Sequence, residues 1–193
     1  NVCADGNSEY AGPFTFTTSC DTVTVFPYLH GFEDLACWSN SDSSAAWALD
    51  DGSDFGPGSV TEGVSAVFFN DYDYDEGSTS DLMSPNLDLS ALTVPRLSFD
   101  YYDGSQYDTV DVLVDSGSGA VVVYTTFADV STWTTIDIDL QDYAGQTIQI
   151  GFRGTSIWGN TNPHIDNLMV AEGPLTWTGT TDSDWSTSSN WSP

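Results

Sequence analysis

The sequence contains no lysine, and its only permanently basic side chains are Arg96 and Arg153. Against them stand 29 acidic residues, which give the 193-residue chain a formal net charge of −27. A nucleic-acid-binding protein needs a basic surface, and two arginines cannot form one. Anionic membrane surfaces repel a chain of this charge. Nucleic acids and anionic membranes are therefore excluded as partners.

Long hydrophobic runs and helix signals are also missing. No apolar stretch approaches the roughly 20 residues that cross a bilayer, and no segment shows the apolar stripe and caps of a helix. The acidic residues are 24 Asp and only 5 Glu. Asp favours caps and turns, whereas Glu favours helices. The composition therefore points away from a helical protein.

Apolar residues are nevertheless plentiful, at 39% of the chain with 13% aromatic, which is enough to build a core and argues against disorder. Many of them alternate with polar residues, and such alternation is typical of half-buried strands. Gly, Ser, Asp, Asn and Pro separate the strand candidates. The pattern predicts an all-β protein, an antiparallel β-sandwich or jelly roll. The clearest alternating segments are Leu97–Tyr101, Thr109–Asp115, Thr135–Leu140 and Thr147–Phe152.

Five short motifs, in order along the chain, resemble known extracellular modules. The first resembles the last hairpin of a fibronectin type III module, and the others resemble a MAM-like jelly roll. Within that group they are most similar to the gingipain-type cleaved-adhesin modules of secreted Bacteroidetes proteins. The motifs are Gly12–Cys20, Phe26–Glu33 with Cys37 and Trp38, Asp81–Leu89, Leu97–Tyr101 and His164–Leu168.

The resemblance implies a division of the chain into three parts. Residues 1–20 would be the terminal hairpin of a fibronectin type III-like module. Residues 21–172 would form the MAM-like jelly-roll domain. Residues 173–193 contain three tryptophans among Ser, Thr, Gly and Asp, and they resemble a linker and the start of a further Trp-rich repeat module.

One acidic segment has the spacing of a metal-binding loop. Asp71, Asp73 and Asp75 occupy alternate positions, and alternate carboxylates in a curled loop can converge on Ca²⁺, as they do at positions 1, 3 and 5 of known calcium loops. Glu76 and Leu82 stand where an EF-hand requires Gly and Glu, so the segment is not an EF-hand. A solvated acidic loop is the alternative.

Glu33 and Asp166 form a second candidate pair. Asp166 follows Ile165 and precedes Leu168 by two positions, and an acid among apolar strand residues is costly to bury without a partner or a metal. The resemblance implies that these two acids help to hold a structural Ca²⁺ near the rim of the sandwich. The alternative is that Asp166 faces solvent.

Three cysteines leave one thiol over after a single disulfide. Cys3 and Cys20 bracket the first predicted hairpin, and we predict that they are paired. Cys20–Cys37 is the alternative, because both residues lie near the start of the predicted jelly roll.

Exposed aromatic and amide side chains suggest a ligand-binding surface. Trp158 and Asn160 lie in a predicted loop before the closing strand, and Tyr102 lies beside another loop. Such groups can stack on sugar rings and hydrogen-bond their hydroxyls, although packing in the core is the commoner role of Trp and Tyr.

No catalytic motif is present: the sequence lacks a phosphate loop, a dinucleotide fingerprint and a convincing serine-hydrolase elbow. We predict a non-catalytic, calcium-stabilised adhesion or recognition module of a large exported protein on a bacterial cell surface. Its partners would be glycans or proteins on another surface, or neighbouring modules. The alternatives are an accessory carbohydrate-binding module of a secreted hydrolase and a structural subunit or spacer of an extracellular filament.

Overall fold

Strands account for almost all of the regular structure. Among the residues that the structure describes, helical segments are limited to two 3-10 turns, Leu89–Ala91 and Gln141–Tyr143. The four alternating segments named above all lie in strands, because alternation places every second side chain on the buried face of a sheet. The computed structural model describes residues 20–41, 46–104, 109–127, 129–157, 161–174, 176–184 and 190–192.

The strands at the start of the chain are short, and the four longest strands have nine or ten residues. In chain order they are β1 (Tyr28–His30), β2 (Ser39–Asn40), β3 (Trp47–Asp50), β4 (Ala66–Phe69), β5 (Thr79–Met83), β6 (Leu87–Asp88), β7 (Pro95–Asp103), β8 (Val110–Asp115), β9 (Val121–Thr125), β10 (Val130–Asp139), β11 (Thr147–Thr155), β12 (His164–Glu172), β13 (Thr176–Trp177) and β14 (Trp191–Ser192).

Two antiparallel sheets of six strands each are built from these elements. The first has the order β10-β7-β12-β4-β3, with β1 also pairing with β12. The second has the order β2-β5-β11-β8-β9, with β6 also pairing with β11. Most neighbours in each sheet are distant in sequence, which is the connectivity of a jelly roll rather than of a meander. The predicted fold class, an antiparallel β-sandwich, is confirmed.

The core lies between the two sheets and consists of the inward-facing residues of their central strands. These side chains are fully or almost fully buried, and each contributes on the order of 1.5–3 kcal/mol when removed from water. They include Leu97, Phe99 and Tyr101 of β7, Val110, Val112 and Val114 of β8, Ile148, Ile150 and Phe152 of β11, and Ile165, Leu168 and Val170 of β12.

Both arginines are engaged by aspartates of neighbouring strands. On β11, Arg153 makes a two-pronged ion pair with Asp81 of β5, with Nε–Oδ1 and Nη2–Oδ2 distances of 2.6 and 2.7 Å. On β7, Arg96 donates from Nε to Oδ1 of Asp137 over 2.7 Å. Since the chain has no lysine, these pairs use all of its permanent positive side-chain charge.

The disulfide joins Cys20 to Cys37. The predicted pairing of Cys3 with Cys20 is therefore wrong, and the alternative is correct. The two α carbons lie 5.6 Å apart, within the range that a disulfide spans. The bond joins the start of the jelly roll to the turn before Trp38, so it closes a loop around β1 instead of a terminal hairpin. Cys3 lies outside the described residues.

The C-terminal part contains a separate two-stranded ribbon, in which Trp177 of β13 is paired with Trp191 of β14. The predicted module boundaries at residues 20 and 172 stay predictions, and residues 1–19 lie outside the described part. In the described residues, no helix has both the length and the apolar character needed to cross a membrane.

A half-buried histidine sits in an aromatic cage at the start of the sandwich. The ring of His30 lies 4.8 Å from that of Phe32 and 5.3 Å from that of Trp38, between ring centroids. Its Nε2 accepts a hydrogen bond from Trp38 Nε1–H over 3.1 Å, and its Nδ1 faces the Phe32 N–H at 3.2 Å. Burial lowers the pKa of His30, and the nearby Asp34 carboxylate only partly opposes that effect.

This pKa shift predicts a pH-dependent stability. Because the folded state binds the proton less readily than the unfolded chain, the contribution of His30 is complete above about pH 6.5 and is lost as the pH falls below that value. We expect the Tm to fall between pH 7.5 and 5.5, and to fall less in His30→Gln. Equal slopes for wild type and variant in calorimetric melts would contradict this assignment.

Candidate functional site

Three loops meet at one end of the sandwich: residues 51–65 after β3, 70–78 after β4, and the described residues 156–157 and 161–163 after β11. Asn162 lies at their junction and is fully buried. Its side-chain Oδ1 accepts from the N–H groups of Asp71 and Tyr72 over 3.0 and 3.4 Å. Its Nδ2 donates to the carbonyl of Asp54 over 3.0 Å, and its own N–H donates to the carbonyl of Phe55 over 3.0 Å. One amide residue thus links all three loops.

Two further buried polar residues complete this junction. Asp71 accepts from the Ile157 N–H through Oδ1 over 2.7 Å. The hydroxyl of Ser156 bonds to the carbonyls of Asp71 and Tyr74 over 3.1 and 2.9 Å. Both Asp71 and Ser156 are buried. Buried polar groups that are satisfied in this way fix the loops in one arrangement.

The junction holds two aromatic rings against each other at the surface. Phe55 and Tyr72 are stacked, with ring centroids 4.7 Å apart and an angle of 13° between the planes. They remain 49% and 57% exposed. Phe55 has a positive φ of 53°, which is unfavourable for a bulky residue and is held by the hydrogen bond from Asn162. We call this pair the aromatic platform.

The acidic loop beside the platform does not gather its carboxylates. Asp71 points inward to the Ile157 N–H, as described above. Asp73 forms a reciprocal pair with Asn70: its Oδ2 accepts from Asn70 Nδ2 over 2.9 Å, and its N–H donates to Asn70 Oδ1 over 3.1 Å. Among the described residues, no three acidic, His or Cys side chains form a group able to hold a metal. The alternating positions of Asp71, Asp73 and Asp75 therefore give no shared site in this geometry.

The 51–65 loop folds back over the outer face of the first sheet. His164 of β12 is fully buried beneath it and stacks on Phe68, with ring centroids 5.3 Å apart. Gly56 lies so close to this ring that a β carbon at position 56 would collide with the ring. That β carbon would also lie 2.8 Å from the carbonyl oxygen of Gly52. Trp133 of β10 donates from Nε1 to the carbonyl of Ser59 over 2.9 Å and fixes the middle of the loop.

Asp50 connects this loop to the buried histidine. Its Oδ1 lies 3.1 Å from Nε2 of His164, and its two oxygens accept from the N–H groups of Gly52 and Asp54 over 2.9 and 2.7 Å. Burial by itself tends to raise the pKa of Asp50. The hydrogen bonds from His164 and from the two backbone N–H groups outweigh burial, so the pKa of Asp50 is lowered overall.

Tyr102, a predicted ligand-binding residue, lies on this covered face. It is half-buried, and its ring packs near those of Trp133 and His164, with centroids 6.0 and 6.3 Å away. It is therefore separate from the aromatic platform. The other two predicted ligand-binding residues, Trp158 and Asn160, lie outside the described residues. Ile157 and Asn162, on either side of residues 158–160 in the sequence, are bonded to the platform loops.

Glu33 and Asp166 hold the end of the same 51–65 loop. Asp166 is fully buried, and its Oδ2 accepts from Thr61 N–H, Thr61 Oγ1–H and Glu62 N–H over 2.7, 3.0 and 2.9 Å. Glu33 is exposed, and its Oε1 accepts from the N–H groups of Val64 and Ser65 over 2.8 and 3.3 Å. The structure thus brings the two predicted calcium ligands to one five-residue segment, residues 61–65.

The carboxylate of Asp166 lies opposite a second acidic residue and beside no arginine. No cationic side chain compensates this carboxylate, since both arginines are paired elsewhere. Asp100 lies directly opposite Asp166 on β7, and Asn167 donates from Nδ2 to Asp100 over 3.1 Å. Oδ1 of Asp166 accepts from the Asn167 N–H over 2.7 Å, which leaves a lone pair on that oxygen. Carboxylate oxygens are ligands that Ca²⁺ accepts, but among the described residues Glu33 and Asp166 are not part of a group of three such side chains, so calcium binding here stays a prediction.

The sequence reasoning missed the aromatic platform and its anchor. Phe55 stands in Asp54-Phe55-Gly56-Pro57-Gly58, and an aromatic residue inside a Gly- and Pro-rich loop is a signal of surface exposure. Asn162 gave no comparable signal, because its role depends on contacts with residues about 90 to 108 positions away.

Comparison with known proteins assigns the fold. No protein-family model and no curated protein sequence matches the chain. The K2 cleaved adhesin domain of Lys-gingipain superimposes with a TM-score of 0.59 and 14% identity, covering 77% of this chain and 99% of that domain. The K1 domain of Lys-gingipain from Porphyromonas gingivalis W83 gives a TM-score of 0.56 and 17% identity, covering 76% and 98%.

A carbohydrate-binding module has a similar fold. TmCBM61, solved in complex with β-1,4-galactotriose, gives a TM-score of 0.54 and 20% identity, covering 74% of this chain and 94% of that module. At these identities the similarity establishes the fold alone. The chain therefore has the jelly roll shared by cleaved adhesin domains and carbohydrate-binding modules, and the predicted gingipain-type jelly roll is confirmed as a fold.

The hydrogen bonds to Asp166 predict a large effect of neutralising it. In Asp166→Asn, one carboxylate oxygen becomes an amide NH₂, which cannot accept, and the other becomes an amide oxygen, which is a weaker acceptor. We expect a loss of about 2–3 kcal/mol in the free energy of unfolding. Urea denaturation monitored by tryptophan fluorescence measures this. The exposed Glu33→Gln serves as the control and should lose less. Equal stability of wild type and Asp166→Asn would contradict the clamping role.

Proposed function

We propose that this chain is a non-catalytic glycan-binding module of an exported bacterial surface protein, and that the aromatic platform is its binding surface. The observation that carries the proposal is the stacked pair Phe55–Tyr72, half-exposed yet fixed from below by buried polar residues. A platform fixed in this way loses little conformational entropy when a ligand binds.

The chemistry of the platform suits a neutral sugar. The C–H faces of a pyranose ring pack on aromatic rings, whose exposed edges and faces supply a flat apolar surface beside polar groups. Asn70 and Asp73 stand next to Tyr72 in the same loop, and their side chains supply acceptors and donors for hydroxyl groups. Neutral glycans also escape the repulsion that a charge of −27 exerts on phosphates and acidic polymers.

The structural neighbours support glycan binding, but they do not decide whether the module belongs to an adhesin or to a secreted hydrolase. TmCBM61 was solved with a bound β-1,4-galactotriose, and the Lys-gingipain domains are cleaved adhesin domains. Glycan recognition on a cell surface is compatible with both. We place the module in an adhesin because its sequence motifs resemble the cleaved-adhesin group. An accessory module of a secreted hydrolase would use the same platform.

We also propose that Ca²⁺ stabilises the module at the segment held by Glu33 and Asp166. The support is the burial of Asp166 without a cationic partner, the free lone pair on its Oδ1 and the resemblance that first suggested these ligands. A bound cation there would offset the electrostatic cost of the Asp100–Asp166 pair and would tie the 61–65 segment more firmly to β12.

The platform predicts a clear mutational result. A glycan array identifies a ligand, and titration calorimetry with that glycan then measures the Kd of each variant. We expect Phe55→Ala and Tyr72→Ala each to raise the Kd by about tenfold or more, because each removes half of the stacking surface. Phe127→Ala is the matched control, since Phe127 is an exposed aromatic residue that contacts Tyr124 instead of the platform.

Two outcomes would contradict the proposal. Binding of no glycan on the array would refute the function, and full affinity in both platform variants would refute the site. The Trp158→Ala variant, measured in the same series, tests the neighbouring loop that the sequence predicts as the recognition loop. Loss of binding in Trp158→Ala alone would move the site from the platform to that loop.

The calcium proposal is tested by melting curves in Ca²⁺ and in chelator. We expect the wild-type Tm to be higher in millimolar Ca²⁺, and Glu33→Gln to reduce that difference. Glu172→Gln is the matched control, because Glu172 is also exposed and also accepts from two backbone N–H groups, those of Thr93 and Val94. Identical melts in Ca²⁺ and chelator would contradict the proposal.

A further inference from the structure

The second sheet ends in a strand that is apolar and half-exposed. β9 is hydrogen-bonded to β8 on one side and is terminal in the strand order. Val121 and Val122 remain 52% and 49% exposed, although both are large apolar residues. A terminal strand directs alternate N–H and C=O groups away from its neighbour, so it offers a main-chain template for another strand.

The other terminal strands of the described sheets carry features that block such pairing. β2 is only two residues long, and a very short edge gives few hydrogen bonds. β3 ends in Asp50, and the 51–65 loop that follows covers the adjoining face. β10 carries Asp137 and Asp139, and charged residues discourage edge-to-edge association.

β9 is neither as short as β2 nor charged like β10, although its pairing with β8 contains a register shift at Val112 and Leu113. It is five residues long, with the sequence Val-Val-Val-Tyr-Thr. Residues 116–128 contain no charged side chain, although the chain as a whole carries 29 acidic residues. β-branched and aromatic residues of this kind favour strand pairing. The length of β9 and its lack of charge therefore permit pairing with another strand, whereas the shortness of β2 and the charges of β10 oppose it.

Acidic residues stand at both ends of this apolar edge. Asp115 caps the hairpin before β9, where its Oδ1 accepts from the N–H groups of Gly117 and Gly119 over 2.7 and 3.1 Å. At the other end, Oδ1 of Asp111 accepts from Thr125 Oγ1–H over 2.5 Å, and Asp129 follows β9 in the turn to β10. The surface is thus apolar in the middle and negative at its ends.

We infer that β9 is a docking edge for an extended segment of another protein, with alternating apolar residues and lysine or arginine at its ends. Such a segment adds a sixth position to the strand row β2-β5-β11-β8-β9 by main-chain hydrogen bonding. About five residues, or roughly 17 Å of strand, match the length of β9. We place basic residues at the ends of the segment because they would be attracted by Asp111, Asp115 and Asp129.

The charge also selects against a second copy of this chain as the partner. Two copies that pair through β9 would bring together two molecules of formal charge −27. The same charge attracts a basic segment over a distance of about one Debye length, roughly 8 Å at physiological salt. This inference concerns a different surface from the aromatic platform and does not depend on glycan binding.

An array of synthetic nine-residue peptides tests the inference with the full chain. The peptides alternate Val, Ile, Tyr or Thr with Ser, and they carry Lys, Ser or Glu at both ends. We expect binding to the Lys series and none to the Glu series. N-methylation of alternate amides in the best peptide should abolish binding, because it removes the donors that face β9.

Variants of the chain locate the bound peptide. Val121→Lys places a charge on the edge, and we expect the Kd for the best Lys peptide to rise about tenfold, equivalent to the loss of one or two main-chain hydrogen bonds. Val25→Lys is the control, because it makes the same change in charge at a valine that is 77% exposed outside β9. Circular dichroism verifies that both variants are folded.

Three results would overturn the inference. The first is the absence of binding by every peptide of the Lys series. The second is an equal loss of affinity in Val121→Lys and Val25→Lys, which would show attraction by charge alone. The third is a dimer of the wild-type chain in sedimentation analysis that Val121→Lys dissociates, which would assign the edge to a second copy.

Discussion

The hydrogen bonds that backbone N–H groups donate to buried or half-buried carboxylates hold the functional end of this molecule together. A chain with 29 acidic residues, two arginines and no lysine cannot neutralise its inward-facing acids with ion pairs. Asp50, Asp71 and Asp166 instead accept from the backbone of loops, and the exposed Glu33 does the same. Each such bond fixes a loop as well as a charge, so the acidity that would otherwise destabilise the fold determines where its loops lie.

This constraint explains why the 51–65 loop is ordered although it is long for a connection without secondary structure. Its first residues are bonded to Asp50, its middle to Trp133 and its last residues to Asp166 and Glu33. The loop covers His164 on the outer face of the first sheet, and it presents Phe55 to Tyr72. The same hydrogen bonds hold the loop over His164 and hold Phe55 against Tyr72. The stability of the sheet face and the geometry of the aromatic platform are therefore linked.

The fold was largely predictable from the sequence, whereas the site was predictable only in part. Alternation in segments such as Thr109–Asp115 reports which face is buried, and the two-sheet architecture follows from many such segments. The buried position of Asp166 was also predictable, because it stands between Ile165 and Leu168. Its partners, Thr61 and Glu62, lie more than 100 residues away, and no local pattern records them.

The cysteine pairing failed for a related reason. Cys3 and Cys20 looked like the ends of one hairpin, but sequence proximity to a turn says nothing about which Cα atoms lie within 7 Å of each other. The Asp71–Asp73–Asp75 spacing has the same limit: alternate carboxylates can converge in a curled loop, but here Asp71 turns inward while Asp73 bonds to Asn70, and calcium binding by these residues stays a prediction.

Asn162 holds the platform loops through their main chains: its bonds run to the N–H groups of Asp71 and Tyr72 and to the carbonyls of Asp54 and Phe55. Hydrogen bonds to main-chain groups do not depend on which side chains the loops carry. Phe55 and Tyr72 can be exchanged for other residues without loosening the loops that carry them. The scaffold thus separates the shape of the binding end from its chemistry, and descendants of one such module can acquire different ligands by surface substitutions alone.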